Sequence, residues 1–213
     1  MSDFEPRSAA EPPPPAHGVA ARKRPKPGER RVQILQTLAA MLEQPGAERI
    51  TTAALAARLG VSEAALYRHF ASKAQMFEGL IEFIENAVFS LVHQIHEREA
   101  AGAAQAARTV GMLMQFGERN PGMARVMVGD ALVNEHQRLQ QRMNLFFDKI
   151  EAGLRQSLRQ VTDASGSATP SVDAQMQASL LTTFVVGRLQ RFVRSDFKRL
   201  PSEHLEASLA RML

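Results

Sequence analysis

Residues 51–73 read TTAALAARLGVSEAALYRHFASK, and this stretch decides the fold. Thr51 or Thr52 can cap a short helix whose alanines admit a close neighbour. Gly60 permits a left-handed turn, and Ser62 can cap the helix that follows. Leu55, Leu59, Val61, Leu66 and Phe70 supply the apolar positions that hold two short helices against a third. Glu63, Ala64, Tyr67, Arg68 and His69 are left on or beside the outward face. The pattern is a helix-turn-helix, and such a face fits a DNA groove.

Upstream, VQILQTLAAMLEQ repeats Ile34, Leu35, Leu38, Met41 and Leu42 at helical spacing and meets Pro45-Gly46, which predicts the supporting helix and its end. Ahead of it, RKRPKPGERR (22–31) sets Arg22, Lys23, Arg24, Lys26, Arg30 and Arg31 against Glu29 alone. Such a run is either a solvated arm or a DNA contact. Its place directly before a helix-turn-helix favours reach into a minor groove or onto phosphates. Residues 1–21 hold a proline run and almost no large apolar groups, so a disordered tail is expected there. The chain then divides into a tail and arm (1–28), a DNA-binding unit (29–73) and a larger helical unit (74–213).

The order of turn, aromatic and closing lysine in GVSEAALYRHFASK resembles the DNA-binding domain of TetR-family regulators. The resemblance implies an all-α fold, in which a three-helix DNA-binding domain precedes a helical dimerisation domain. On that reading Thr51, Thr52 and Ser62, with nearby amides and Tyr67, His69 and Lys73, would fix phosphates. Glu63, Ala64 and Arg68, at the start of the recognition helix, would face base edges.

Charge agrees with the division. Lys and Arg outnumber Asp and Glu 11 to 7 over residues 1–73 and stand 15 to 15 over 74–213, so the formal excess of +4 sits with the helix-turn-helix. No cysteine is present, which excludes disulfides and thiolate metal sites. The apolar stretches fall short of a membrane span, and prolines and acids occupy the start where a secretory signal needs an apolar core. A cytoplasmic, nucleoid-associated protein is expected.

Helices are predicted for Ser72 to about Glu99, for 104–118, 122–134, 135–160, 173–195 and 202–212, with no alternating strand pattern. Met76, Phe77, Leu80, Ile81, Ile84, Val88, Leu91 and Ile95 mark the inner face of the first. A single helix-turn-helix reads few base pairs, so a homodimer on near-palindromic double-stranded DNA is expected. Two apolar stripes can supply a four-helix interface. One is Leu139, Met143, Phe146, Phe147, Ile150 and Leu154; the other is Leu180, Leu181, Phe184, Val185 and Leu189, with Gly187 allowing close approach. Part of each stripe must also pack within one subunit.

Enzymatic chemistry is not expected. The chain has no glycine-rich phosphate loop, no G-x-S-x-G elbow and no cysteine nucleophile. His93 and His96 could share a metal, but nothing nearby in sequence completes a coordination sphere, so packing or surface roles are favoured and no metal or cofactor is expected. Methionines at helical spacing, among them Met112, Met114, Met123, Met127, Met143 and Met176, read as core rather than as a pliable pocket.

Three further segments narrow the resemblance: LYRHFASKAQMFEGLIEFIE (66–85), FGERNPGMARVMVGDAL (116–132) and RFVRSDFK (191–198). They are similar to the nucleoid occlusion branch of the TetR family. That similarity implies dimers that bind chromosomal sites and engage the tubulin-like division protein FtsZ. Phe83, off the inner stripe of its helix, and Arg119-Asn120, before Pro121-Gly122, are the candidate partner-binding residues. The alternative is a ligand-responsive transcriptional repressor with a deep apolar pocket in its helical domain.

Overall fold

The computed structural model describes residues 28–44 and 50–213. Residues 1–27, which include the expected tail and Arg22, Lys23, Arg24 and Lys26, lie outside the described residues, as do Pro45 and Gly46.

The described chain is helical: α1 (Glu29–Leu42), α2 (Thr52–Leu59), α3 (Glu63–Tyr67), α4 (Lys73–Arg98), α5 (Gly102–Arg119), α6 (Pro121–Met127), a 3-10 turn (Asp130–Leu132), α7 (Gln137–Ala164), α8 (Pro170–Arg194) and α9 (Leu205–Met212). The first helix starts three residues ahead of the apolar repeat, so Glu29, Arg30 and Arg31 belong to α1 rather than to the arm. The predicted helix over 122–134 divides instead. Gly129 takes a left-handed φ of 80° after α6 has ended, and the 3-10 turn follows it. The recognition helix closes at Tyr67, leaving Arg68 and His69 in a turn.

Two cores share one apolar interior. In the DNA-binding unit Ile34, Leu38, Leu42, Leu55, Leu66 and Phe70 are buried together. In the larger unit α4, α5, α7 and α8 bury Phe77, Ile81, Ile84, Val88, Val110, Leu113, Phe146, Ile150, Leu181 and Leu189. The units are joined by α4 and by a close approach of α6 to α1, where a Cβ on Gly122 would stand 2.1 Å from the Ala39 carbonyl oxygen. Only glycine fits there.

Most of the two stripes read from sequence pack inside the subunit, as part of each had to, and Leu180 alone of their members stays largely exposed. Leu139, Met143, Phe146, Ile150, Leu154, Leu181, Val185 and Leu189 are all buried within one chain, and Phe147 and Phe184 are partly buried against the same core. An amphipathic helix shows its stripe to whichever neighbour is nearest, and here α7 and α8 are each other's main neighbours. Gly187 faces open space: a Cβ there would meet nothing within 4 Å, so it makes no close approach inside the chain. The row left outside on α8 shares Leu180 with the expected stripe and adds Val172 and Met176; the three are 51, 65 and 63 % exposed, and Leu145 of α7 is also exposed. Their spacing of four residues places the three on one helix face.

Candidate nucleic-acid interface

Helix ends build the reading head. Thr51, in extended backbone, caps α2 by accepting the Ala54 N–H at 3.1 Å, and Ser62 caps α3 by accepting the Ala65 N–H at 3.3 Å. Between them Gly60 takes φ 65°, ψ 39°, and the Val61 N–H reaches the Ala56 carbonyl at 3.0 Å. That six-residue closure is a Schellman turn, and it fixes the angle between α2 and α3. Ser72 caps α4 through the Gln75 N–H at 3.2 Å, while the Gln75 side chain accepts the Ala71 N–H at 2.8 Å.

The exposed side chains on this head are coupled. The Thr52 hydroxyl donates to Glu63 Oε2 at 2.6 Å, and the Tyr67 hydroxyl stands 3.5 Å from Thr52 Oγ1. Thr52 therefore spends its one proton on Glu63 and orients that carboxylate. Thr51 and Ser62 accept backbone N–H groups, which leaves each hydroxyl proton to be donated outward. Tyr67 is exposed, as are Ala64 and Arg68, while His69 is half-buried. The His69 carbonyl accepts a hydrogen bond from the Arg31 guanidinium, which lies 4.2 Å from the centre of the Phe70 ring. Arg31 so fastens α1 to the end of the recognition element, a role that a basic-run reading of the sequence does not reveal.

Lys73, expected at a phosphate, has a partner inside the chain. Its ammonium pairs with Glu135, just before α7, and lies 5.6 Å from the Phe77 ring centre. Two further pairs continue this line between α4 and the start of α7: Glu78 with Arg138 at 2.7 Å and Glu85 with Arg142 at 2.5 Å. The hydrogen bond from Arg142 to Glu85 holds the Arg142 pKa above its already high ordinary value, against the opposing effect of burial. Glu135 lies 62 residues from Lys73 in sequence, so no local pattern announces the pairing.

Residues 34–80 match the family described as bacterial regulatory proteins, tetR family, and residues 104–212 match the SlmA-like family described as tetracyclin repressor-like, C-terminal domain. The nucleoid occlusion factor SlmA of Idiomarina loihiensis is 50 % identical over 178 residues, covering 84 % of this chain and 90 % of that protein. The protein of the same name from Vibrio vulnificus is 50 % identical over 182 residues, covering 85 % and 92 %. The chain belongs to the SlmA family. Solved structures give the same architecture at low identity. The MbdR regulator from Azoarcus sp. CIB aligns with TM-score 0.70 at 17 % identity over 86 % of this chain and 97 % of that one. FadR from Bacillus subtilis, in complex with stearoyl-CoA, aligns with TM-score 0.67 at 16 % identity over 85 % and 96 %.

In this SlmA-family chain the candidate partner residues fall at one level of the α4–α5 hairpin. A three-residue connection makes the two helices antiparallel, and a cleft of about 560 Å³ sets Leu91 and Ile95 of α4 against Arg108, Met112 and Gln115 of α5. Continuing that register two turns along α4 brings Phe83 opposite the end of α5, where Arg119 and Asn120 stand. Phe83 is 50 % exposed and Arg119 is exposed. Among the described residues Glu118 forms no ion pair with Arg119, and its Oε1 accepts the Ser202 N–H at 2.8 Å. Asn120 serves the fold: its side-chain amide donates to the Phe116 carbonyl at 2.8 Å, and it stands between α5 and the Pro121 start of α6.

The two histidines on α4 part company. His93 faces Glu97 at 3.2 Å in an exposed pair, whereas His96 Nε2 lies 3.4 Å from the buried Ser157 hydroxyl. Among the described residues no group of three metal-ligating side chains is gathered, and no helix is long and apolar enough to cross a membrane. Met76, Met114, Met127 and Met143 are buried in the core, while Met176 is exposed on α8.

Proposed function

We propose that this chain is a sequence-specific DNA-binding inhibitor of cell division, which engages FtsZ and prevents septal ring assembly over the nucleoid. The observation that carries the proposal is the capped α2–α3 turn, with its outward hydroxyls and Tyr67, in a chain half identical over most of its length to proteins named nucleoid occlusion factors. Thr51, Ser62, Tyr67 and His69 anchor phosphates. Ala64, Arg68 and a Glu63 oriented by Thr52 face base edges, and Arg22, Lys23, Arg24 and Lys26 add an electrostatic arm. Lys73 joins the phosphate set by exchanging Glu135 for DNA. No step in this activity calls for bond-making chemistry, and the chain acts as a binding protein rather than an enzyme.

Two copies are needed to present two recognition helices. The exposed row Val172, Met176 and Leu180, together with exposed Leu145 on the neighbouring α7, is the apolar surface left for that pairing, and Gly187 continues the face of the row toward the end of α8. The partner docks on Phe83 and Arg119, with Asn120 holding the corner between α5 and α6. A ligand-responsive repressor needs an enclosed apolar chamber; the cleft between α4, α5 and α9 is instead open and carries Gln94, Arg98, Glu99 and Arg108 among its walls.

The test is co-sedimentation with FtsZ polymers, with and without operator DNA. Wild-type protein sediments with the polymer, more strongly when DNA is bound. Phe83→Ala and Arg119→Asp variants still dimerise and bind operator DNA, yet stay in the supernatant. Retention of both variants in the pellet removes the partner surface from the proposal.

A further inference from the structure

The neutrality of the larger unit conceals a strongly uneven distribution. Between residues 188 and 204 five Lys and Arg stand against two acids, leaving ten against thirteen over the rest of 74–213. Four of these cations line a cleft of about 770 Å³ at the end of α8, formed by Arg188, Arg191, Lys198, Arg199, Leu200, Ser202, Glu203 and His204.

The cleft is built rather than incidental. Arg188 donates from Nε to the Pro201 carbonyl at 2.9 Å and from Nη2 to the Glu203 carbonyl, which ties the 198–204 segment back onto α8. The loop itself turns through Asp196 and Phe197, both at positive φ of 49° and 63°. That uncommon backbone is held by the Phe197 ring tilted against Phe192 with centres 5.1 Å apart and by Arg125 lying 5.1 Å from the Phe197 ring. Of the two acids nearby, Asp196 stands 4.0 Å from buried Arg125, and Glu203 lines the cleft with its carboxylate 3.7 Å from His204, so four cations face one acid there. Arg191, Lys198 and Arg199 are exposed, and among the described residues their side chains make no hydrogen bond or ion pair.

We infer that this cleft is a docking site for an acidic protein segment carrying an apolar residue. Three unpaired cations in a concave site favour an anionic occupant. Leu200, 53 % exposed in the cleft wall, gives an apolar side chain a place that a phosphodiester strand would leave uncovered. Position argues the same way. Phe192 and Val193 at the end of α8 pack on Ala124 of α6, and α6 in turn packs on α1, so two helices separate the cleft from the α2–α3 head. A duplex seated on that head is not carried into the cleft. The bond from Ser202 to Glu118 places the cleft beside the end of α5, so a segment bound here is close to Arg119. The inference rests on the cleft alone and holds whichever division protein is engaged.

The probe is a fluorescein-labelled peptide with Asp and Glu flanking a central Leu-Phe pair, followed by anisotropy at low ionic strength. A second peptide replaces the acids by Asn and Gln, and a labelled duplex without operator sequence tests nucleic acid. The acidic peptide is expected to bind, and the neutral one to bind about tenfold or more weakly. Arg191→Glu combined with Lys198→Glu and Arg199→Glu is expected to lose the acidic peptide while keeping helix content and operator affinity. Equal binding of the two peptides, or an unaffected triple variant, overturns the inference. So does loss of nonoperator duplex binding in that variant with peptide binding intact, which would mark the cleft as a nucleic-acid surface. If the triple reversal fails to fold, Lys198→Ala with Arg199→Ala replaces it, and unchanged peptide affinity in that protein is equally decisive.

Discussion

The α2–α3 head and the α7–α8 pair are organised in opposite ways. The head is short-range: one αL glycine, two hydroxyl caps and a handful of buried side chains fix an angle between helices of eight and five residues. The pair is long-range, two helices of 28 and 25 residues whose packing rests on rows of aliphatic and aromatic groups. Geometry in the head is specified by hydrogen bonds whose partners are three to five residues apart. In the pair it is specified by burial, which does not distinguish a neighbour in the same chain from one in a second copy.

The largest effects should come from emptying the two cores separately. Phe70→Ala removes a fully buried ring from the small core and is expected to cost about 3–5 kcal/mol, and Leu181→Ala in the larger core about 2–5 kcal/mol. Hydrogen exchange should find the first loss concentrated in α1 to α3 and the second spread through α4, α5, α7 and α8. Uniform loss of protection in both variants would mean that head and body open as one unit.

Next in size is the outer face of α8. Met176→Glu with Leu180→Glu leaves the intrachain contacts of Leu181 and Val185 in place, so the helices should persist while the dimer separates. Sedimentation equilibrium should report monomers, with operator affinity lowered by about a hundredfold, equivalent to about 2.7 kcal/mol. A dimer unchanged by both substitutions would move the interface to another face.

The caps are smaller. Thr51→Ala and Ser62→Ala should each destabilise the protein by about 1 kcal/mol through loss of a hydrogen bond to an exposed helix end. Denaturant titration measures that loss, and operator binding of the still-folded variants measures what the hydroxyls add at phosphates. Smallest is the exchange at Lys73. Lys73→Ala should shallow the log–log salt dependence of operator binding by about one unit, whereas Glu135→Gln should strengthen binding by releasing the ammonium. Equal affinities and slopes for wild type and both variants would leave Lys73 as a purely structural partner of Glu135.

The sequence disclosed the head because its signals are local. A hydroxyl three residues ahead of the N–H it caps, and a glycine where φ must be positive, can be read at Thr51, Gly60 and Ser62 without knowing the rest of the chain. It disclosed the existence of the long helices for the same reason, through their apolar period. What it withheld depends on distant partners. Glu135 carries no mark that it reaches Lys73, and Arg31 in a basic run looks like any other cation. The stripe on α7 is equally suited, by its pattern, to α8 of its own chain or of another. The outer row on α8 is legible only at Leu180; Val172 and Met176 precede it at intervals of four, but the buried row beside them is the more apolar and masks them.

Helix α4 has 26 residues and so runs about 39 Å, from the edge of the reading head to the far end of the body. A rod of that length is a lever. A tilt of about 5° about one end carries the other through about 3 Å, close to the rise of one nucleotide along a DNA strand. Its first half is gripped by Lys73–Glu135, Glu78–Arg138 and Glu85–Arg142, all ionic and all on one helix. Partly buried pairs are screened less than exposed ones, so this grip yields only gradually to dissolved salt, and in the proposed dimer it bears on the spacing of the two recognition helices.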